Sequence, residues 1–469
     1  MKSKKRLIKN TIIIAIGKFS TQAISFFLLP LYTSILTTVE YGTYDFINTL
    51  MLFLTPITTL LMEEAMFRFL IDADSDKEKK TIITQAIIFI IINLIITLTF
   101  LFIVLSIFKY KFKYYVMFFL LASVYSGLSQ AVSRGVSKIK LYSLSAFISS
   151  ALTLVLNVVF IAYFRIGIKG LLISYIIANI VSPTFVFIRV KIWHYISLKN
   201  INRTKIKEMI KYSIPLVPNS VSWVVINLSD RLIITTILGT GANGIYAIAN
   251  KFPIIIDTLY GYFYIAWKEE ASRAIKEENS NQYYNSIYKD LKRLLFSICV
   301  CLIAILPLTF NILVGKSFLQ AYKYIPLLVV SIIFANISGF YGGIFSANKN
   351  TKVMGTSTIM SAIINVVINL ILIKTIGLYA AILSTFIANF VVCIYRNIAL
   401  KEYITFEKDN LFYFISTIIL GLVILCYYSN LKKLYFIGFV IAFIYSIYIN
   451  RNMALVIFNR ISSKFRKRV

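Results

Sequence analysis

Long apolar runs recur along the chain, separated by short polar segments, and a window of about 19 residues resolves fourteen of them. Their expected limits are 11–32, 43–62, 81–107, 116–136, 142–164, 170–190, 213–238, 243–267, 294–314, 326–347, 354–375, 377–398, 411–428 and 434–450. A helix rising 1.5 Å per residue needs about 20 residues to cross a hydrocarbon layer of about 30 Å. The pattern therefore predicts an all-α polytopic membrane protein with about fourteen transmembrane helices. The runs ending at 375 and beginning at 377 leave almost no loop, which predicts a tight hairpin.

Polar and glycine positions inside these runs repeat. At a shift of 202 residues Thr33, Ile35, Leu36, Thr38, Gly42, Tyr44 and Asn48 fall on Thr235, Ile237, Leu238, Thr240, Gly244, Tyr246 and Asn250. At a shift of 210, Ile166, Gly167, Ser174, Ile177, Ala178, Asn179 and Val181 fall on Ile376, Gly377, Ser384, Ile387, Ala388, Asn389 and Val391. Such matches at a nearly constant offset predict a duplication. Six spans per copy make both copies enter the membrane in the same direction, so the repeats are parallel, about an axis along the membrane normal. The expected organisation is an N-terminal lobe over 1–190, a linker over 191–211, a C-terminal lobe over 212–400, and two appended helices with a basic tail over 401–469.

Composition narrows the class. A hydrophobic content of 59%, a mean hydropathy of +0.80 and 14% charged residues are too apolar for a soluble chain of this length. The net charge of +30 does not imply nucleic acid, because Lys and Arg concentrate in the short segments between runs. With the N-terminus in the cytoplasm, 36 of the 49 Lys and Arg lie on the cytoplasmic side and 10 on the other, with Lys18, Arg231 and Lys251 inside spans. That asymmetry predicts that both termini are cytoplasmic. The stretch 268–293 reads as an amphipathic surface helix on the cytoplasmic side. Cys299, Cys301, Cys393 and Cys426 all sit in apolar spans as packing residues, and His194 is the lone histidine, so no metal site or cofactor is expected.

No outside loop exceeds roughly a dozen residues, and no Walker, H-E-x-x-H or G-x-S-x-G motif occurs. A membrane enzyme acting on a lipid-linked sugar is disfavoured on that ground. The run S-I-P-L-V-P from Ser213, D-R at Asp230, L-G at Leu238, G-x-Y at Gly244, Y-G-T-Y at Tyr41, Arg68 and Arg134 together resemble the polysaccharide-transporter (Wzx-like) flippases. These belong to the multidrug/oligosaccharidyl-lipid/polysaccharide exporter superfamily. The resemblance implies translocation of an undecaprenyl-diphosphate-linked oligosaccharide from the cytoplasmic to the outer leaflet, for a surface polysaccharide such as O-antigen or capsule. Alternating access between two lobes would carry it. Its implied partners are that lipid-linked substrate, the membrane lipids, and the polymerase and glycosyltransferases of the same pathway. The rival reading is an ion-coupled small-molecule or multidrug antiporter of the same superfamily.

An anionic diphosphate calls for cations along its route, and charge inside a span costs roughly 2.5–3.5 kcal/mol on insertion scales unless it faces a polar cavity. The candidate substrate-binding residues are Lys18, Arg231, Lys251, Arg68 and Arg134. Lys18 lines an inter-lobe cavity or snorkels to the interface; Arg231 serves a cavity or gate, or a structural lobe contact. Lys251 contacts phosphate or pairs with Asp230 or Asp45. Arg68 and Arg134 lie near cytoplasmic ends, where they draw an anionic head group or simply mark topology. Asp230 and Asp257 are coupling or structural acids. Tyr260, Tyr262, Phe263, Tyr264 and Trp267 read as an interfacial aromatic belt, with sugar stacking as the alternative. Pro30, Pro56, Pro215, Pro218 and Pro253 predict kinks.

Overall fold

The computed structural model describes residues 26–197, 202–275, 279–348, 350–407 and 409–451. Regular structure among these residues is helical, and the chain divides into two compact units, Met1–Gly244 and Ile245–Val469. Lys18 and most of the expected first span lie outside the described residues.

The first unit contains α1 (Leu29–Ile35), α2 (Thr38–Thr59), α3 (Met62–Ile71), α4 (Asp76–Ile107), α5 (Lys113–Gly135), α6 (Ile139–Asn157), α7 (Ile168–Val190), α8 (Arg203–Ser213), α9 (Leu216–Ile237) and the start of α10 (Thr240–Ala274). Thr37 opens α2 with a reciprocal cap: its hydroxyl accepts from Glu40 N, and the Glu40 carboxylate accepts from Thr37 N. Ser75 starts α4 by accepting from Glu78 N. The core is aliphatic and thioether-rich, with Met51, Met62, Met66, Phe119 and Leu172 essentially buried. Polar packing supplements it where two helices approach closely, as where Ser182 Oγ donates to Ser145 O at 2.6 Å.

Two departures from helix shape this unit. Between α2 and α3, Leu60 and Leu61 both take positive φ, 49° and 53°, and the two helices meet at a 59° bend. The stretch Val158–Tyr163 winds as a π-helix at the end of α6. Just before it, the buried Asn157 amide donates to Tyr32 Oη at 2.7 Å.

The second unit continues α10 and adds α11 (Ser280–Leu313), a 3-10 segment (Lys316–Tyr324), α12 (Ile325–Ala347), α13 (Thr351–Ile376), α14 (Leu378–Ala399), α15 (Asn410–Tyr428) and α16 (Lys432–Ile449). α11 packs against both α15 and α16. α12 presents Gly339 and Gly343 to Tyr260 and Trp267, where a Cβ would lie 2.8 Å from Tyr260 Oη and 2.4 Å from Trp267 Nε1. Trp267 is buried, stacks on Phe340 at 4.2 Å and donates from Nε1 to Phe340 O, so it is a packing anchor of the second unit and not part of an interfacial belt.

The stretch 268–293 also differs from expectation. Its first part continues α10 to Ala274 and its last part opens α11 at Ser280, so it forms no separate surface helix. Tyr284 Oη donates to Ala271 O and ties the two arms together. An amphipathic helix does occur in the linker, as α8, whose buried Met209 rests on the first unit's core.

Among the described residues ten helices are long and apolar enough to cross a membrane, and the bent α2–α3 pair makes an eleventh. The ten correspond to the expected third to sixth and ninth to fourteenth runs. α9 and α10 are not among them; each carries charge within its length, Asp230 and Arg231 on one and Lys251 and Asp257 on the other. The hairpin without a loop is present, with Gly377 alone separating α13 from α14. Gly377 has φ 58° and ψ −136°, and its repeat partner Gly167, which opens α7, has φ 61° and ψ −139°. These are angles an L side chain resists, so the glycine matches at a shift of 210 mark the same backbone turn in each unit.

Candidate functional site

The 3.6-residue period places Asp45, Asn48, Leu52 and Thr55 on one stripe of α2. On α9 the same rule aligns Ser220, Val224 and Arg231. α2 packs along α9 and also meets α5 and α7. Within the first unit these elements enclose a cavity of about 400 Å³, inside the range of roughly 300–1,000 Å³ usual for small-molecule sites. Asn48 and Thr55 reach it from α2, Ser220 from α9, Ser123 from α5 and Tyr175 from α7. Met51, Leu52 and Pro56 supply apolar wall.

Glu63 also lines this cavity. A straight α2 would have carried position 63 onward along its axis; the bend at Leu60–Leu61 turns the chain there, and Glu63 follows in the first turn of α3. Its Oε1 accepts from Thr59 Oγ1 at 3.1 Å, while Oε2 is buried with no hydrogen-bond partner among the described residues. A buried acceptor without a partner is costly. Tyr175 is held rigidly, stacked on Phe119 at 3.8 Å, and its hydroxyl lies 3.2 Å from Ser123 Oγ.

Asp45 lies one turn before Asn48 on the same stripe. Arg231 Nε donates to Asp45 Oδ2 at 2.7 Å, and the two side chains are only 12% and 15% exposed. Asp230, its neighbour in sequence, is buried. Near this end of α2, Gly42 and Gly244 bring the first turns of α2 and α10 into backbone contact. A Cβ on Gly42 would lie 1.9 Å from Thr240 O, and one on Gly244 would lie 2.0 Å from Thr38 O. Asn243 Nδ2 donates to Gly42 O at 2.8 Å across the same crossing.

The other candidate cations are placed as follows. Arg134 ends α5 with its guanidinium 3.8 Å from Glu64 and 3.9 Å above the Phe67 ring. Arg68 pairs with Asp72 one turn on along α3 and is half-exposed. Neither of these arginines, nor Arg231, lines the cavity. In the second unit Lys251 is half-buried on α10 and Asp257 is exposed on the same helix.

Charges that counted as topology markers in the sequence prove to be buried. Arg396, 5% exposed on α14, donates to Ser338 O at 3.0 Å and to Ser357 Oγ at 2.8 Å, with no carboxylate among its hydrogen-bond partners in the described residues. Lys292, 2% exposed, lies 3.1 Å from Asp409. Partial burial works to raise the Asp409 carboxyl, but the hydrogen bond and charge of Lys292 outweigh it and hold the group below the usual carboxylate range. Among the described residues no group of three His, Cys, Asp or Glu could hold a metal ion.

Glu63 and Tyr175 are the site residues that sequence reasoning missed. The signal in hand was indirect: Asn48, on the cavity stripe, is one of the positions matched at a shift of 202. A glutamate just past the end of an apolar run otherwise reads as an interfacial charge.

A family model described as "Polysaccharide biosynthesis protein" matches residues 7–267. No curated protein matches the chain by sequence. Among solved structures the fold is similar to that of the lipid II flippase MurJ in an inward closed conformation, with a TM-score of 0.74 and 18% identity over 94% of this chain and 100% of that one. It is also similar to an inward-facing multidrug resistance MATE family transporter of the MOP superfamily, with a TM-score of 0.65 and 16% identity over 84% of this chain and 99% of the other. A point mutant of the Vibrio cholerae MATE transporter VcmN gives 0.53 and 16%, over 87% and 98%.

Proposed function

From the premise that the chain belongs to the polysaccharide biosynthesis protein family, we propose that it is a flippase for an undecaprenyl-diphosphate-linked oligosaccharide destined for a surface polysaccharide such as O-antigen or capsule. The observation that carries this reading is the pairing of that family match with a fold like that of the lipid II flippase over 94% of the chain. A diphosphate-linked glycan is polar at one end and apolar at the other. Its polyprenyl tail stays in the bilayer while the head group crosses, which needs alternating access and no covalent step. The chain acts as a transporter and not as an enzyme, in the bacterial inner membrane with both termini cytoplasmic, beside the glycosyltransferases and polymerase of its pathway.

Lys18, Arg231 and Lys251 are proposed to meet the phosphates, with Arg68 and Arg134 at the inner mouth and Asp230 and Asp257 as coupling or structural acids. The MATE-like structures favour a second reading, an ion-coupled antiporter of small molecules. Complementation separates them. Expression in a flippase-null strain should restore surface polysaccharide and leave drug susceptibility unchanged. Lowered susceptibility to cationic drugs, with no polysaccharide restored at normal membrane abundance, would establish the antiporter instead.

A further inference from the structure

The cavity of the first unit is unlike a diphosphate site. Its one charged lining group among the described residues is the Glu63 carboxylate, and its remaining polar lining is neutral: the Asn48 amide and the hydroxyls of Thr55, Ser123, Tyr175 and Ser220. A carboxylate repels phosphate oxygens. What it does accept is an O–H or N–H donor, and charge-assisted hydrogen bonds of this kind are among the stronger ones. Glu63 lines the cavity, and its buried Oε2 has no hydrogen-bond partner among the described residues.

Resting on the flippase reading, we propose that this cavity binds a sugar ring of the lipid-linked glycan. The Glu63 carboxylate accepts a hydrogen bond from a ring hydroxyl or amide, and the Asn48 amide and the Tyr175 hydroxyl bind neighbouring substituents. A pyranose offers hydroxyls around its rim and C–H groups on its faces. The polar set and the Met51 and Pro56 walls match those two kinds of surface. The rigid Tyr175–Phe119 stack sets the Tyr175 hydroxyl in place before the ligand arrives, so little order is lost on binding. The diphosphate then lies outside this cavity.

The test compares two lipids on the full chain reconstituted in nanodiscs: the lipid-linked repeat unit extracted from the parent strain, and undecaprenyl diphosphate without sugar. Wild type should bind the glycosylated lipid more tightly. Glu63→Gln preserves size and the Thr59 contact, and should weaken binding of the glycosylated lipid about tenfold while leaving bare undecaprenyl diphosphate unaffected. Tyr175→Phe keeps the ring on Phe119 and should give a smaller, equally sugar-dependent loss. It carries the test alone if the Glu63 variant does not accumulate. Equal losses for both lipids overturn the proposal, as does a wild type that binds both lipids alike. Unchanged binding with a shifted pH profile of transport would make Glu63 a proton or cation site and equally overturn it. A wild type that binds neither lipid removes the flippase reading itself, and this inference with it.

Discussion

Arg231 on α9 and Asp45 on α2 share a charge-assisted hydrogen bond of 2.7 Å with little exposure to solvent. An arginine so placed is held by a partner and is not simply a cation open to ligand. Removing either member leaves the other desolvated and uncompensated, at a cost of about 3 kcal/mol or more. Asp45→Asn and Arg231→Gln should each lower the thermal unfolding temperature of the detergent-solubilised protein. The double variant should lose clearly less than the sum, since the pair interacts directly. Strict additivity would show the pair to be energetically idle.

Gly42 and Gly244 should tolerate no side chain. Overpacking usually costs about 1–3 kcal/mol, and here the obstructing atoms are backbone carbonyls, which cannot rotate aside as a side chain can. Gly42→Ala and Gly244→Ala should therefore each fall at or above the top of that range in thermal unfolding. Gly261→Ala, where nothing lies within 4 Å of the added carbon, is the neutral control.

Asp409 predicts an acid-sensitive contact in the second unit. Lys292 depresses its folded carboxyl below the unfolded value of about 3.9. A depressed carboxyl contributes stability that is fully present above the unfolded value and is lost as pH falls through the folded one. Unfolding temperature measured from pH 7 to pH 2.5 should show that loss at its acid end. Asp409→Asn should flatten this component and lower stability at pH 7, because Lys292, 2% exposed, then lacks its counter-charge.

Arg396 should resist even a conservative exchange. Its guanidinium reaches Ser338 O and Ser357 Oγ from two nitrogens, a fork that an ammonium cannot reproduce. Arg396→Lys should reduce membrane abundance and unfolding temperature, whereas Lys401→Arg, on the exposed 3-10 turn beyond α14, should do neither.

Orientation is open to direct measurement. Reporter fusions at Lys199, at Lys276 and after Val469 should report cytoplasm, and a fusion at Lys111 should report the opposite side, following the 36 to 10 split of Lys and Arg. An external C-terminus would mean an odd number of spans.

What the sequence discloses here is periodic and local. Apolar runs locate the helices from Asp76 onward because hydrophobic length is a strong signal. Gly167 and Gly377 identify the paired turns because few other residues accept their angles. The bend before Glu63 had no such marker: Leu60 and Leu61 take positive φ although leucine disfavours it, and Pro56 sits a turn too early to place the break. Arg396 and Lys292 were misjudged for a related reason. Counting charges by loop assigns a side of the membrane, but not whether a long side chain folds back into its own bundle. Glu63 was hidden by both effects, lying past the end of an expected span and returned to a cavity by tertiary structure.

The glycine crossing has one more property. Thr38 and Gly42 become Thr240 and Gly244 at the shift of 202, and the contacts are reciprocal: Gly42 meets Thr240, and Gly244 meets Thr38. That exchange is the signature of an isologous contact, in which one surface patch meets a copy of itself. Locally the chain thus pairs with itself as two identical subunits would. In a pair of identical subunits one glycine would satisfy both sides of such a contact, and any change there would strike it twice. Within this one chain each side can vary separately, yet the backbone spacing holds both positions to glycine.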